Sequence, residues 1–333
     1  MRLTPGSAAG GLYFHNANLP KAVPAVNWKR GFLCLAASAC AVALSPAFAS
    51  SSNSSTSAVP GTTPPTLHAA ATHVRKVAVD EPDLRSSSVF ILDATHSSIL
   101  YSRHADVALP IASITKLMTA LVVLHAGQSL DELIEITRED VSAGKGAYSR
   151  LAFGTTLSRG DLLHLALMSS ENRAAHALGR HYPGGVPAFV QAMNAQAVAL
   201  GMTHTRFVDP AGLSSENVAS PEDLSKLVMA ASQNSFIRAY STDKGYAVRA
   251  GRRKIDFRNT DSLVSNPTWN IIVQKTGYIS EAGKCLVMQA IIEGRTVVIV
   301  LLDSFGKYTR VADAKRIKKW MEWRLSAGLA HES

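Results

Sequence analysis

Residues 284–303 read KCLVMQAIIEGRTVVIVLLD. Two runs rich in Val, Ile and Leu, 284–292 and 295–303, are separated only by Glu293-Gly294. Glycine accepts the positive φ that a two-residue connection demands, so the spacing predicts a tight antiparallel hairpin. A third run, 269–276, lies just upstream and predicts another strand. Near the start of the folded part, 88–94 and 98–103 predict a second hairpin. Helical patterns fill the interval. Residues 113–126 carry Ile114, Leu117, Met118, Leu121, Val122, Val123 and Leu124, apolar nearly all round. A helix without a polar face belongs in a core, and Gly127 suits its C-terminal cap. Residues 160–168, 172–182 and 185–200 predict three more helices, the first opened by Ser158 and Asp161 spaced as a capping box. Ser220-Pro221-Glu222-Asp223 opens a further helix, with proline at its first position. A last one runs from about Thr309 to Leu325. Strands, many helices, three strands and one helix make an α+β chain: an antiparallel sheet built from both chain ends, flanked by helices, with a helical region inserted between.

The 333 residues suffice for one large domain or two modest ones, and 47% hydrophobic content is ordinary for a globular protein. The N-terminus reads as an address. Lys29-Arg30 precedes an apolar run from Gly31 to Leu44, and Ala47-Phe48-Ala49 gives the small-x-small pattern of a cleavable secretory signal. The run is too short to span a bilayer as a mature helix, so contact with the membrane is expected only transiently, through the signal. Residues 1–49 are therefore expected to be leader and signal, cut after Ala49, which sends the protein to the periplasm. Residues 50–66, almost wholly Ser, Thr, Pro, Ala and Gly, cannot bury enough apolar surface to order themselves. Residues 50–83 are read as a linker and 84–333 as the folded domain. The formal charge of +9 includes four cations of the leader; without them 30 basic residues face 25 acidic ones, a mild +5. There is no dense basic run with interleaved aromatics of the kind that binds nucleic acid. Beyond the leader the sequence holds a single cysteine, Cys285, and no zinc-ligand spacing, so neither an internal disulfide nor a metal is expected.

Three short motifs bear chemistry. Ser113-Ile114-Thr115-Lys116 opens the apolar helix. Spacing i, i+3 puts hydroxyl and amine on one face, and a lysine serves as base when burial or another cation lowers its pKa. The pattern recurs at Ser142 to Lys145 and Ser304 to Lys307, but each copy contains a glycine and neither opens an apolar helix. Ser170-Glu171-Asn172 lies between two helices, offering a hydroxyl to relay a proton and an amide to bind a carbonyl. A second copy, Ser215-Glu216-Asn217, sits in a loop before a helix cap and reads as structural. Lys275-Thr276-Gly277 ends the 269–276 strand: a cation, a hydroxyl for a carboxylate, and a residue without Cβ that lets a substrate backbone approach. No zinc-binding pattern and no G-x-S-x-G elbow accompany the eleven histidines, and His164 and His176 fall on apolar helices as core or boundary residues.

Together, in this order, the three motifs resemble those of penicillin-binding proteins and class A β-lactamases. Leu109-Pro110-Ile111-Ala112, Asp209-Pro210-Ala211-Gly212-Leu213 and 278–283 extend the resemblance over roughly residues 85–325, to the D-alanyl-D-alanine peptidases of the low-molecular-mass penicillin-binding proteins. Within them the chain is most similar to the penicillin-binding protein 7 type of D-alanyl-D-alanine endopeptidase. The resemblance implies a β-lactamase/transpeptidase-like fold and no cofactor. It implies that Ser113 forms the acyl-enzyme, Lys116 takes its proton, and Ser170 relays a proton with Lys275 near it. Asn172, Lys275, Thr276 and Gly277 would bind substrate, and the backbone N–H groups of Ser113 and Tyr278 would form the oxyanion hole. The substrate would add as a strand along 269–278, and Lys275 would lower the pKa of Lys116 as a like charge. The implied partners are peptidoglycan stem peptides and, as covalent inhibitors, β-lactams. Carboxypeptidase, serine β-lactamase and a non-catalytic penicillin-binding sensor stay open as alternatives. The sensor would need a broken motif, and a class A lactamase would need an E-x-x-x-N glutamate absent between Asn172 and Lys275. Glu171, where many carboxypeptidases have glycine, is expected to reshape the cleft toward cross-links.

Overall fold

A computed structural model describes residues 81–141 and 149–328. The expected signal and the expected linker up to residue 80, and the Ser142 to Lys145 copy, lie outside the described residues. Strands β1 (Ser86–Asp93) and β2 (Ser98–Arg103) form the first hairpin. β3 (Leu109–Pro110) leads into a short 3-10 turn, Ala112–Ile114, and then α1 (Thr115–His125). β4 (Leu133–Glu135) and β5 (Thr156–Ser158) pair, followed by α2 (Arg159–Met168), α3 (Asn172–Arg180) and α4 (Gly185–Ala199). β6 (Val218–Ala219) pairs with β3 ahead of α5 (Pro221–Ser232) and α6 (Ser235–Thr242). β7 (Gly245–Ala250) and β8 (Arg253–Arg258) make a separate hairpin. β9 (Asn270–Ile279), β10 (Gly283–Ile292), β11 (Arg295–Ser304) and α7 (Thr309–Ser326) complete the order.

The main sheet has the order β2-β1-β11-β10-β9, antiparallel throughout, so both ends of the folded chain meet in it. Its central strands read as unbroken aliphatic runs because both faces are covered. Val297, Ile299 and Leu301 pack with Ile317, Trp320 and Met321 of α7. Val298, Val300 and Leu302 face the helical region, where α5 and the buried α1 lie. Full burial of each such side chain contributes roughly 1.5–3 kcal/mol. The turn between β10 and β11 has φ of 48° at Glu293 and 75° at Gly294, the conformation its dipeptide predicts. The capping box of Ser158 and Asp161 is present, as is the proline at the start of α5.

Two features depart from the sequence reading. The helix expected from Ser113 becomes regular only at Thr115. Ala112 has φ of +48°, the Ile114 N–H donates back to Ile111, and Ser113 therefore sits in the 3-10 turn. The helix α6 and the hairpin β7–β8 were not expected. In the hairpin only Val248, Ile255 and Phe257 are buried, and charged outward positions dilute the alternation that would reveal it.

Candidate active site

The nucleophile candidate is presented by a strained support. Thr115 Oγ1 donates to the Ala112 carbonyl at 2.8 Å, and Asn217 Nδ2 donates to Thr115 Oγ1 at 3.0 Å. Gly212 lies against the same carbonyl so closely that a Cβ there would fall 1.9 Å from it. Its φ of +76° likewise suits glycine. This turn leaves Ser113 9% exposed.

Lys116 is wholly buried one helical turn on. Its Nζ makes three hydrogen bonds: to Ser113 Oγ at 2.7 Å, Asn172 Oδ1 at 2.8 Å and the Ala211 carbonyl at 2.7 Å. Burial pulls its pKa down from 10.5 to about 7, against the opposing pull of Asp209 and Glu171. A lysine near neutrality can accept a proton from the hydroxyl beside it. The further lowering of Lys116 expected from Lys275 as a like charge is not among its causes. Desolvation is the main cause for Lys116, and the repulsion between the two lysines bears on Lys275, itself buried and held well below its ordinary value.

The third acceptor on Lys116 is held by a loop that the motifs did not identify. Asp209 accepts from the N–H groups of Ala211 at 2.7 Å and Gly212 at 2.6 Å through Oδ1, and from Ser214 at 2.9 Å through Oδ2. Asn217, fully buried, locks that loop from beneath. Its Oδ1 accepts from Val208 N at 2.7 Å and Asp209 N at 3.1 Å, and its Nδ2 also donates to Asp209 O at 2.9 Å. The second Ser-Glu-Asn copy is thus structural, as expected, but it structures the site itself: one amide joins Thr115, the first residue of α1, to the loop aimed at Lys116.

Strand β9 forms the opposite wall. Lys275 Nζ donates to the Thr276 carbonyl at 3.0 Å, Thr276 Oγ1 shares a 2.6 Å hydrogen bond with Thr260, and Arg310 of α7 donates to Gly277 O at 2.8 Å. Arg310 had no sequence signal; the first turn of α7 brings it here. A Cβ at Gly277 would lie 2.8 Å from Ile111 O, 3.2 Å from Ala112 Cβ and 3.3 Å from Ser113 N. The glycine is therefore required by the chain's own nucleophile turn, an internal reason beyond the substrate approach expected of it. Tyr278 is 59% exposed, its ring under Lys284 Nζ at 4.0 Å.

The expected residues converge unequally. Ser113, Lys116 and Asn172 are directly bonded. Ser170, at φ +61° between α2 and α3, makes no hydrogen bond to Ser113, Lys116 or Lys275. It lines an adjoining cavity of about 570 Å³ with Glu171, Arg150, Asp256, Phe257 and Arg258. Glu171 is buried against Arg150, and desolvation raises its carboxyl above the usual range. Its side chain makes no capping hydrogen bond to α3 and lines the cavity instead. His164 is buried and stacked between Tyr240 and Tyr246, a core role.

Known proteins support the same reading. A family model described as D-alanyl-D-alanine carboxypeptidase, peptidase S11, matches residues 75–306. A D-alanyl-D-alanine endopeptidase of Pseudomonas aeruginosa is 49% identical over 73% of this chain and 79% of its own length. The D-alanyl-D-alanine endopeptidase of Escherichia coli is 47% identical over the same shares. A solved structure of the Streptomyces K15 DD-transpeptidase superimposes with a TM-score of 0.67 at 29% identity, covering 72% of this chain and 98% of that one. A motif order read from the sequence, a lysine whose pKa burial brings down to about 7 beside a serine, and a match over most of the folded region agree: this chain belongs to the D-alanyl-D-alanine carboxypeptidase family of peptidases, S11.

Proposed function

We propose that this protein is a D-alanyl-D-alanine endopeptidase that opens D-alanyl-diaminopimelate cross-links in peptidoglycan through an acyl-enzyme on Ser113. The observation that carries the reading is the 2.7 Å contact between Ser113 Oγ and a fully buried Lys116 amine. In its neutral form Lys116 takes the hydroxyl proton as Oγ attacks the D-alanyl carbonyl carbon. The C–N bond breaks, the amine of the partner stem peptide leaves with a proton relayed through Ser170, and an ester remains on Ser113. Water then attacks the ester, returning the proton to Ser113 and releasing a D-alanyl carboxylate. The N–H groups of Ser113 and Tyr278 serve the oxyanion. Asn172, Thr276, the Lys275 amine and the Arg310 guanidinium favour an anionic peptide, and the same features suit the carboxylate of a β-lactam, which would acylate Ser113. Endopeptidase is preferred over carboxypeptidase because the relatives at 49% and 47% identity bear that name, whereas a Streptomyces carboxypeptidase is 30% identical.

The domain division belongs to the same proposal: leader and signal 1–49, linker 50–83, and a periplasmic peptidase domain 84–333. The deciding experiment incubates the enzyme, with Ser113→Ala as control, with purified cross-linked muropeptide dimers and with monomeric pentapeptide. Dimers should become monomers. Free D-alanine from the monomer with dimers left intact would reverse the preference.

A further inference from the structure

Residues 244–258 read KGYAVRAGRRKIDFR: six cations and one acid, a net +5. That equals the entire positive excess of residues 50–333, where 30 basic residues face 25 acidic ones, so the remainder is electrically balanced. The structure folds this segment into the β7–β8 hairpin, with Gly245 opposite Arg258 at its base and Ala250 opposite Arg253 near its tip. Lys244, Arg249, Arg252, Arg253, Lys254 and Arg258 are all exposed. Lys254 pairs with Asp256 at 3.3 Å, and the other five meet no carboxylate among the described residues.

The hairpin is not a loose appendage. Val248, Ile255 and Phe257 are buried in the main core. Tyr246 donates to Asp161 at 2.5 Å. Arg150 stacks over Phe257 at 4.7 Å and donates to Asp256 O at 2.5 Å. Asp256, Phe257 and Arg258 then line the cavity that Ser170 and Glu171 share. A six-residue strand spans about 20 Å, so the hairpin carries cations from Arg258 at the cavity wall to Arg249, Arg252 and Arg253 near its tip. Concentrated charge of one sign on a rigid support raises the local concentration of an opposite polymer and the rate of encounter, by roughly 10- to 1,000-fold in strong cases.

We infer that the β7–β8 hairpin is a polymer-binding arm that holds the carboxylates of wall stem peptides neighbouring the bond being cut. The inference rests on the endopeptidase reading above and deepens it. Continuity with the Ser170 cavity favours the wall polymer over a membrane surface: what the arm holds must run on into the cleft. The arm then acts on intact wall and is dispensable for a small fragment.

The test uses Arg249, Arg252 and Arg253 together changed to Gln, at exposed positions near the tip and away from the catalytic groups, with covalent labelling by penicillin confirming the fold. On intact sacculi at low salt the variant should cut about 10-fold more slowly, while its kcat/KM on soluble cross-linked dimers is unchanged. Raising the salt toward about 1 M, where the screening length shrinks from ~10 Å at 0.1 M to ~3 Å, should slow the wild type toward the variant. Ser113→Ala protein should co-sediment with sacculi, lose most of that binding once the sacculus carboxylates are amidated, and ignore anionic phospholipid vesicles. Equal cleavage of sacculi by variant and wild type, undiminished binding to amidated sacculi, or sedimentation with vesicles in place of sacculi would each overturn the arm. Failure of the wild type to cut dimers would strike the endopeptidase reading instead, and the Ser113→Ala sedimentation still decides the arm.

Discussion

If Lys116 is the base for Ser113, acylation must follow the titration of its amine. Its pKa is about 7. Only the neutral form can accept the serine proton, so the active fraction is about one half at pH 7, ~1 in 10 at pH 6 and ~1 in 100 at pH 5. Labelling by a fluorescent penicillin, timed from pH 5 to 9, should rise ~10-fold per unit on the acid side and level off above about pH 8. Glu171 opposes the depression, so Glu171→Gln should move the inflection to lower pH. The shift carries a stability cost with a defined sign. Because the folded value lies below the ordinary 10.5, stability falls as pH drops from 10.5 to about 7 and is flat below that. At 1.36 kcal/mol per unit the whole cost is roughly 5 kcal/mol. Lys116→Met removes it but leaves three buried acceptors unpaired, at about 1–3 kcal/mol each. The opposing effects are of similar size, so the variant should fold with a stability within a few kcal/mol of wild type while acylating ~10²–10⁴-fold more slowly. A flat pH profile, or a Met variant that acylates normally, would refute the assignment of Lys116.

Three further outcomes are expected. Asn217→Ala breaks four hydrogen bonds under the site, one buried and three part-buried, and should cost about 3–5 kcal/mol in urea unfolding; a loss below about 1 kcal/mol would show that the loop is held otherwise. Gly277→Ala pushes β9 off the nucleophile turn, so acylation should fall by ~10² with most of the thermal stability kept, and normal acylation would mean the strand yields without consequence. A chromogenic cephalosporin should acylate the enzyme and turn over slowly. Glu216 pairs with Arg206, and Glu222 lies beside Lys226 at the start of α5, so rapid turnover would demand a deacylating base elsewhere.

The strands, most helices and their order were legible because their signals are local. Aliphatic runs, the Glu293-Gly294 turn, the Ser158 capping box and Pro221 each act on immediate neighbours. The sequence alone also determined the motif order, and with it Ser113 and Lys116 as a pair three residues apart. Tertiary structure decided what that pair can do. The amide and carbonyl that complete the lysine's hydrogen bonding come from residues 56 and 95 positions away, Asn172 and Ala211. Its lowered pKa comes mainly from complete burial, which no spacing encodes. The support by Asp209 and Asn217, the arrival of Arg310 at Gly277, and the clash that makes Gly277 necessary likewise depend on segments that meet only after the sheet closes. A pKa and a hydrogen-bond network are sums over neighbours in space, and sequence supplies only the neighbours along the chain.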